Sequence, residues 1–151
     1  LIQCRNFSSR DFAKYHPGGS LGKRLYTRVS DVYDRENTPC VTLDDDIRRV
    51  ILAISGGRLG AVAVTDGQNK LLGIVTDGDL RRMLEKYKDV NGLKAKDIMS
   101  ASPKVISEEE LAYDAFRLME KNSITQLVVT GEGGTYKGMV HLHDILREGV
   151  V

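Results

Sequence analysis

Two ten-residue stretches of this chain align at one constant offset. They are Gly73-Ile74-Val75-Thr76-Asp77-Gly78-Asp79-Leu80-Arg81-Arg82 and Gly138-Met139-Val140-His141-Leu142-His143-Asp144-Ile145-Leu146-Arg147. Glycine meets glycine, Asp79 meets Asp144 and Arg82 meets Arg147. In the first stretch an apolar run gives way to apolar residues at helical spacing, Leu80, Met83 and Leu84. The pattern predicts a strand stopping near Val75 and a helix starting at or near Asp77. Internal duplication constrains the fold more than any other feature, because each copy must be one supersecondary unit.

The rest of the duplication follows in order. Val29-Ser30-Asp31-Val32-Tyr33 matches Ala95-Lys96-Asp97-Ile98-Met99, and Thr38-Pro39-Cys40-Val41-Thr42 matches Ser102-Pro103-Lys104-Val105-Ile106. Acids come next, Asp44-Asp45-Asp46 and Glu108-Glu109-Glu110. Three adjacent carboxylates could suggest a metal, but acids at a helix start answer its free N–H groups and suit its dipole. Ser107 and Glu110 have capping-box spacing. Ile47, Val50, Ile51 and Ile54 form one amphipathic stripe, matched by Leu111, Ala115, Leu118 and Met119, so Met119 and Met99 are core candidates. Two apolar runs follow in each copy, joined by hairpin-type turns at Asp66-Gly67-Gln68-Asn69-Lys70 and Gly131-Glu132-Gly133-Gly134-Thr135.

Each copy therefore reads strand–helix–strand–strand–helix. A unit of roughly 60 residues buries only about 60% of its unfolded surface and is marginal alone. Two copies packed sheet to sheet solve that problem, and the pairing is expected to turn both corners toward a shared cleft. The fold expected is α/β (α+β), two βαββα repeats packed with pseudo-twofold symmetry. Residues 1–28 stand outside the duplication, 29–90 form the first repeat and 91–151 the second, with Val90-Asn91-Gly92-Leu93 between them. Within 1–28, Gly18, Gly19 and Gly22 fit no nucleotide fingerprint, so on spacing alone the segment is a connector.

At 151 residues the chain suits one domain or two very small ones. With 22 basic residues against 21 acidic ones, net charge is +1, so electrostatics make no case for nucleic acid or a membrane surface as partner. No apolar run approaches the roughly 18 residues of a span, and no secretory signal is present. Cys4 and Cys40 lack metal-type spacing and read as free thiols in a reducing cytoplasm. The start at Leu1, without methionine, suggests a piece of a longer polypeptide.

The corners carry the candidate chemistry. A carboxylate beside exposed N–H groups, as at Asp79, is a natural acceptor for a vicinal diol such as a ribose. Thr76 and the helix-start N–H groups could take an anion, with Arg81, Arg82 or Arg147 as counter-charge. A nucleotide has that layout. The competing reading is that both aspartates simply cap their helices. In the second corner His141 replaces Thr76, and His143 follows. His-x-His can ligate zinc, but no third ligand is evident, so no metal is assigned and His141 is read as a donor to a ligand anion. No catalytic set is visible within the repeats, and no cofactor is expected.

The duplicated unit, with Gly-Ile-Val-Thr-x-x-Asp after its third strand, resembles tandem CBS domains, the Bateman module. More sharply, His16-Pro17-Gly18-Gly19-x-Leu21-Gly22, Thr76-Asp77-Gly78-Asp79-Leu80-Arg81-Arg82 and the ending from His141 to Val151 resemble the C-terminal portion of D-arabinose 5-phosphate isomerases of the KpsF/KdsD/GutQ family. The resemblance implies a parent isomerase interconverting ribulose 5-phosphate and arabinose 5-phosphate for Kdo and lipopolysaccharide synthesis. Its chemistry lies in an N-terminal sugar-isomerase (SIS) domain, of which residues 1–28 would be the tail and linker. His16 falls on the family's active-site histidine, and this piece alone is expected to be inactive without the SIS domain. Thr76 and Asp79 match the family's nucleotide-contacting positions and Asp144 matches in the second copy, whereas His141 departs from the usual Ser/Thr. The resemblance implies a regulatory module sensing CMP-Kdo, CMP or an adenine nucleotide. The alternative is a ligand-free oligomerisation module. A cytoplasmic homodimer or tetramer is expected, with no nucleic acid and no membrane as partner.

Overall fold

The computed structural model describes residues 19–151. His16 and Cys4 lie outside them. Helix α1 (Gly19–Tyr26) leads into the first copy: α2 (Val29–Val32), β1 (Cys40–Val41), α3 (Ile47–Gly57), β2 (Ala61–Thr65), β3 (Leu71–Thr76) and α4 (Asp77–Lys86). The second copy repeats the order: α5 (Ala95–Ile98), β4 (Val105–Ser107), α6 (Ala112–Asn122), β5 (Gln126–Thr130), β6 (Tyr136–His141) and α7 (Leu142–Glu148). Each copy forms one three-stranded sheet, ordered β1-β2-β3 or β4-β5-β6. In both, the first pair is parallel and the second antiparallel.

Local chemistry explains the bounds. The five residues of β2 are all buried, as expected of a strand covered on both faces. Its hairpin to β3 closes where the Asp66 carboxylate accepts from the N–H groups of Gln68 and Lys70. Helix α3 starts where Asp46 accepts from the Arg49 N–H, and it stops at Arg58 in the left-handed region. Ser123 ends α6 in the same conformation. Ile51, expected in the α3 stripe, is instead exposed beside Leu52.

Ser107 and Glu110 do not form the expected capping box. Helix α6 begins only at Ala112, with Leu111 at its cap position. The preceding residues are taken by the other copy, because the carbonyls of Glu108 and Glu110 accept from the N–H groups of Ser30 and Val29. Ser107 Oγ accepts from the Glu109 N–H and closes a turn.

That pairing is half of an exchange. Val29 and Tyr33, from the start of the first copy, sit in the core of the second with Met119, Leu127, Val140 and Ile145. Ala95, with Ile98 and Met99 against it, sits in the core of the first with Val50, Val62 and Val75. The unit of packing is thus not the unit of duplication. A third cluster joins the two sheets face to face, with Ala61, Ala63 and Ile74 against Val128, Tyr136 and Met139. Helix α1 docks on the far end of the second copy, where Lys23 Nζ donates to the Glu148 carbonyl and Arg24 Nε to that of Val150.

A glycine inside a strand marks close approach of another segment, and the repeated glycines do so here. A Cβ on Gly73 would stand 2.7 Å from the Ser100 carbonyl oxygen, and one on Gly138 would stand 2.9 Å from the Tyr33 ring. Ser100 and Ile74 exchange backbone hydrogen bonds at this crossing. Ser100, two residues past the end of α5, is thereby brought over the first corner.

Candidate functional site

At the first corner β3 runs directly into α4, and Thr76 takes the N-cap position. Its Oγ1 accepts from the Asp79 N–H at 3.2 Å. Asp79 Oδ2 in turn accepts from the Thr76 N–H at 2.9 Å and from Thr76 Oγ1 at 3.1 Å. This is a reciprocal capping box with aspartate in the usual glutamate place. The other carboxylate oxygen, Oδ1, accepts from Arg82 Nη2 at 2.6 Å and from Ser100 Oγ at 3.3 Å. Asp79 is only 7% exposed, whereas the Arg82 side chain is 69% exposed. A buried carboxylate with four donors satisfies the rule that buried charge must be paired.

The second corner repeats the plan more loosely. Asp144 Oδ2 accepts from the His141 N–H at 2.8 Å, and Arg147 Nη1 stands 3.5 Å from Oδ1. His141 Nδ1 accepts from the His143 N–H at 3.0 Å, and the two rings lie 4.6 Å apart. His141 Nδ1 is therefore an acceptor toward its own helix start, and the proton of a neutral ring sits on Nε2, the nitrogen left to donate.

Burial pushes the His141 imidazole below its ordinary pKa, the neighbouring His143 adds to this, and Asp144 opposes it. A group depressed in the folded state contributes stability that is present above its unfolded pKa and lost as pH falls through the folded value. Thermal melting should accordingly fall as pH drops below about 6.5, and His141→Thr should flatten that dependence. Melting curves in a pH series check this.

The structure brings Thr76, Asp79 and Arg82 together in one cluster and His141, Asp144 and Arg147 in the other. Arg81 is exposed and takes no part in the first. The sequence reading missed Ser100, and the matched glycine was its available signal, because it announced that some segment must cross there. A hollow of about 230 Å³ opens beside the first corner, lined by Asp79, Arg82, Met83 and Lys86 of α4, Tyr87 beyond it, and Asp97 and Ile98 of α5. Asp144 is not among its walls. This hollow is a single corner with a wall lent by the second copy's α5.

The CBS domain model matches residues 29–86 and 95–150. The chain belongs to the CBS domain family. This CBS pair is similar to arabinose 5-phosphate isomerase KpsF of Escherichia coli, 40% identical over 144 residues, which are 95% of this chain and 44% of that protein. Arabinose 5-phosphate isomerase KdsD of Francisella tularensis is 41% identical over 148 residues, 97% of this chain and 45% of its own length. The CBS pair thus spans a little under half the length of these relatives. A CBS domain protein from Pyrobaculum aerophilum complexed with AMP has the same fold, with a TM-score of 0.70 at 21% identity, covering 78% of this chain and 89% of that one.

Proposed function

We propose that this CBS pair is the nucleotide-sensing, regulatory half of an arabinose 5-phosphate isomerase. The observation that carries the reading is Asp79: a nearly buried carboxylate beside an open hollow, with an exposed cation on one oxygen and the Thr76 N–H and hydroxyl on the other. A ribose diol can replace the side-chain donors on Oδ1 while Oδ2 keeps its helix start. The solved relative complexed with AMP supports the ligand class, and the two isomerase relatives support the parent activity. The isomerase chemistry belongs to the SIS half, to which His16 would contribute and without which this piece is inactive. Because that pathway leads to CMP-Kdo, this nucleotide sugar is the first candidate for a feedback ligand, followed by CMP and adenine nucleotides. Thr76, Asp79 and Arg82 form the primary contact set, and His141, Asp144 and Arg147 a second, unequal one.

Thermal melting of the chain with CMP-Kdo, CMP, AMP and ATP tests the reading. A ligand at a hundredfold excess over its Kd should stabilise the chain by about 2.7 kcal/mol. A second reading, a ligand-free oligomerisation module, is favoured by the exposed Ile51, Leu52 and Leu84 on α3 and α4. Self-association with no melting response to any of the four ligands would decide for it.

A further inference from the structure

Arg82 occupies the carboxylate oxygen that a ligand diol would need. Its Nη2 lies 2.6 Å from Asp79 Oδ1, and its guanidinium passes over Gly78, with Nη1 only 3.4 Å from where a Cβ would stand. We propose that Arg82 is a displaceable latch, which leaves Asp79 when a nucleoside diol arrives and turns to the ligand's phosphate. This role presupposes the nucleotide reading above and adds to it the residue that sets preference for a nucleotide over its nucleoside.

Three features support the exchange. The Arg82 side chain is 69% exposed, so its end of the ion pair is open to solvent and can leave, and the buried Asp79 keeps its three other donors. The hollow beside it gives the guanidinium space to move without leaving the corner. Lys86 stands one turn further along α4 on the wall of the same hollow, so a phosphate there meets two cations. A diol donates two O–H groups to a carboxylate but brings no positive charge. A nucleoside that evicts Arg82 therefore loses an ion pair and gains none, whereas a nucleotide re-pairs the cation with its own anion. The second corner has the same residues in a slacker form, Arg147 at 3.5 Å from Asp144, so the latch is a property of the first.

Calorimetry with adenosine against AMP and cytidine against CMP tests the latch. Arg82→Ala should raise nucleoside affinity about twofold to fivefold, the order expected of an ion pair with one solvent-exposed end, while affinity for the monophosphate falls. Preference for monophosphate over nucleoside should shrink about tenfold. Lys86→Ala should weaken monophosphate binding and leave the nucleosides unchanged. Equal losses for nucleoside and nucleotide in Arg82→Ala would make the residue a structural prop, and unchanged affinities would make it a bystander; either overturns the latch. No binding of any of the four compounds to the unaltered chain removes the functional reading itself, and the latch with it.

Discussion

Tyr136→Ala is expected to lower the stability of the chain by about 3–5 kcal/mol, measured as the shift of a urea or thermal unfolding transition. Tyr136 is buried in the cluster that joins the two sheets. It is also tied to the first copy at three points. Its hydroxyl donates to the Pro39 carbonyl at 2.8 Å, its N–H donates to the Asn69 carbonyl, and Asn69 Nδ2 donates to its carbonyl. Truncation removes a ring from between two sheets whose facing residues, Ala61 and Ala63, are too small to close the gap. Tyr136→Phe should cost only about 1 kcal/mol, because the Pro39 carbonyl keeps its second donor, the Ala63 N–H at 3.2 Å. Burial also raises the phenol's pKa well above its ordinary value, with Cys40 adding to the shift. The neutral form is thus favoured in the fold, so this contribution is complete below the unfolded value near 10 and declines as pH climbs beyond it.

Asp79→Ala should abolish most of the nucleotide response, with about 1.5–3 kcal/mol of ligand affinity lost if the diol bonds are charge-assisted. It should also destabilise the unliganded chain by about 1–2 kcal/mol, since the reciprocal half of the α4 capping box goes with it while Thr76 still caps the N–H of residue 79. Without the carboxylate, the Thr76 N–H loses its acceptor and Arg82 and Ser100 lose theirs. Asp144→Ala should have the smaller effect on both counts, because among the described residues one hydrogen bond and a 3.5 Å ion pair depend on that side chain. Melting curves of the two variants with and without AMP and CMP separate the structural loss from the binding loss. Equal ligand response in wild type and Asp79→Ala would remove Asp79 from the site.

Much of this molecule was legible in its residues. The matched corners placed β3 against α4 and β6 against α7, and the competing reading of Asp79 and Asp144 as helix caps matches the capping boxes found there. The sequence offered Arg81 and Arg82 alike as counter-charge, and only the structure separates them, with Arg82 on Asp79 and Arg81 exposed. The sheet-to-sheet pairing of the copies was legible too; what escaped was which segments cross from one copy to the other. Ser100 reaches Asp79 only because the chain after α5 crosses β3, and no local pattern says which segment will cross. Ser107 and Glu110 failed as a cap for the same reason: a tertiary backbone pairing with Val29 and Ser30 outweighed a local preference. The exposure of Ile51 is likewise invisible to periodicity, which assigns a face to the core without saying where the core ends.

The exchange of α2 and α5 has a consequence for how such a protein unfolds. Either copy taken alone would lack the short helix that plugs its own interior, Val29 and Tyr33 in one direction and Ala95 in the other. A single copy would leave that place in its interior open unless it met a twin and traded the helix with it, so the two halves are expected to unfold together.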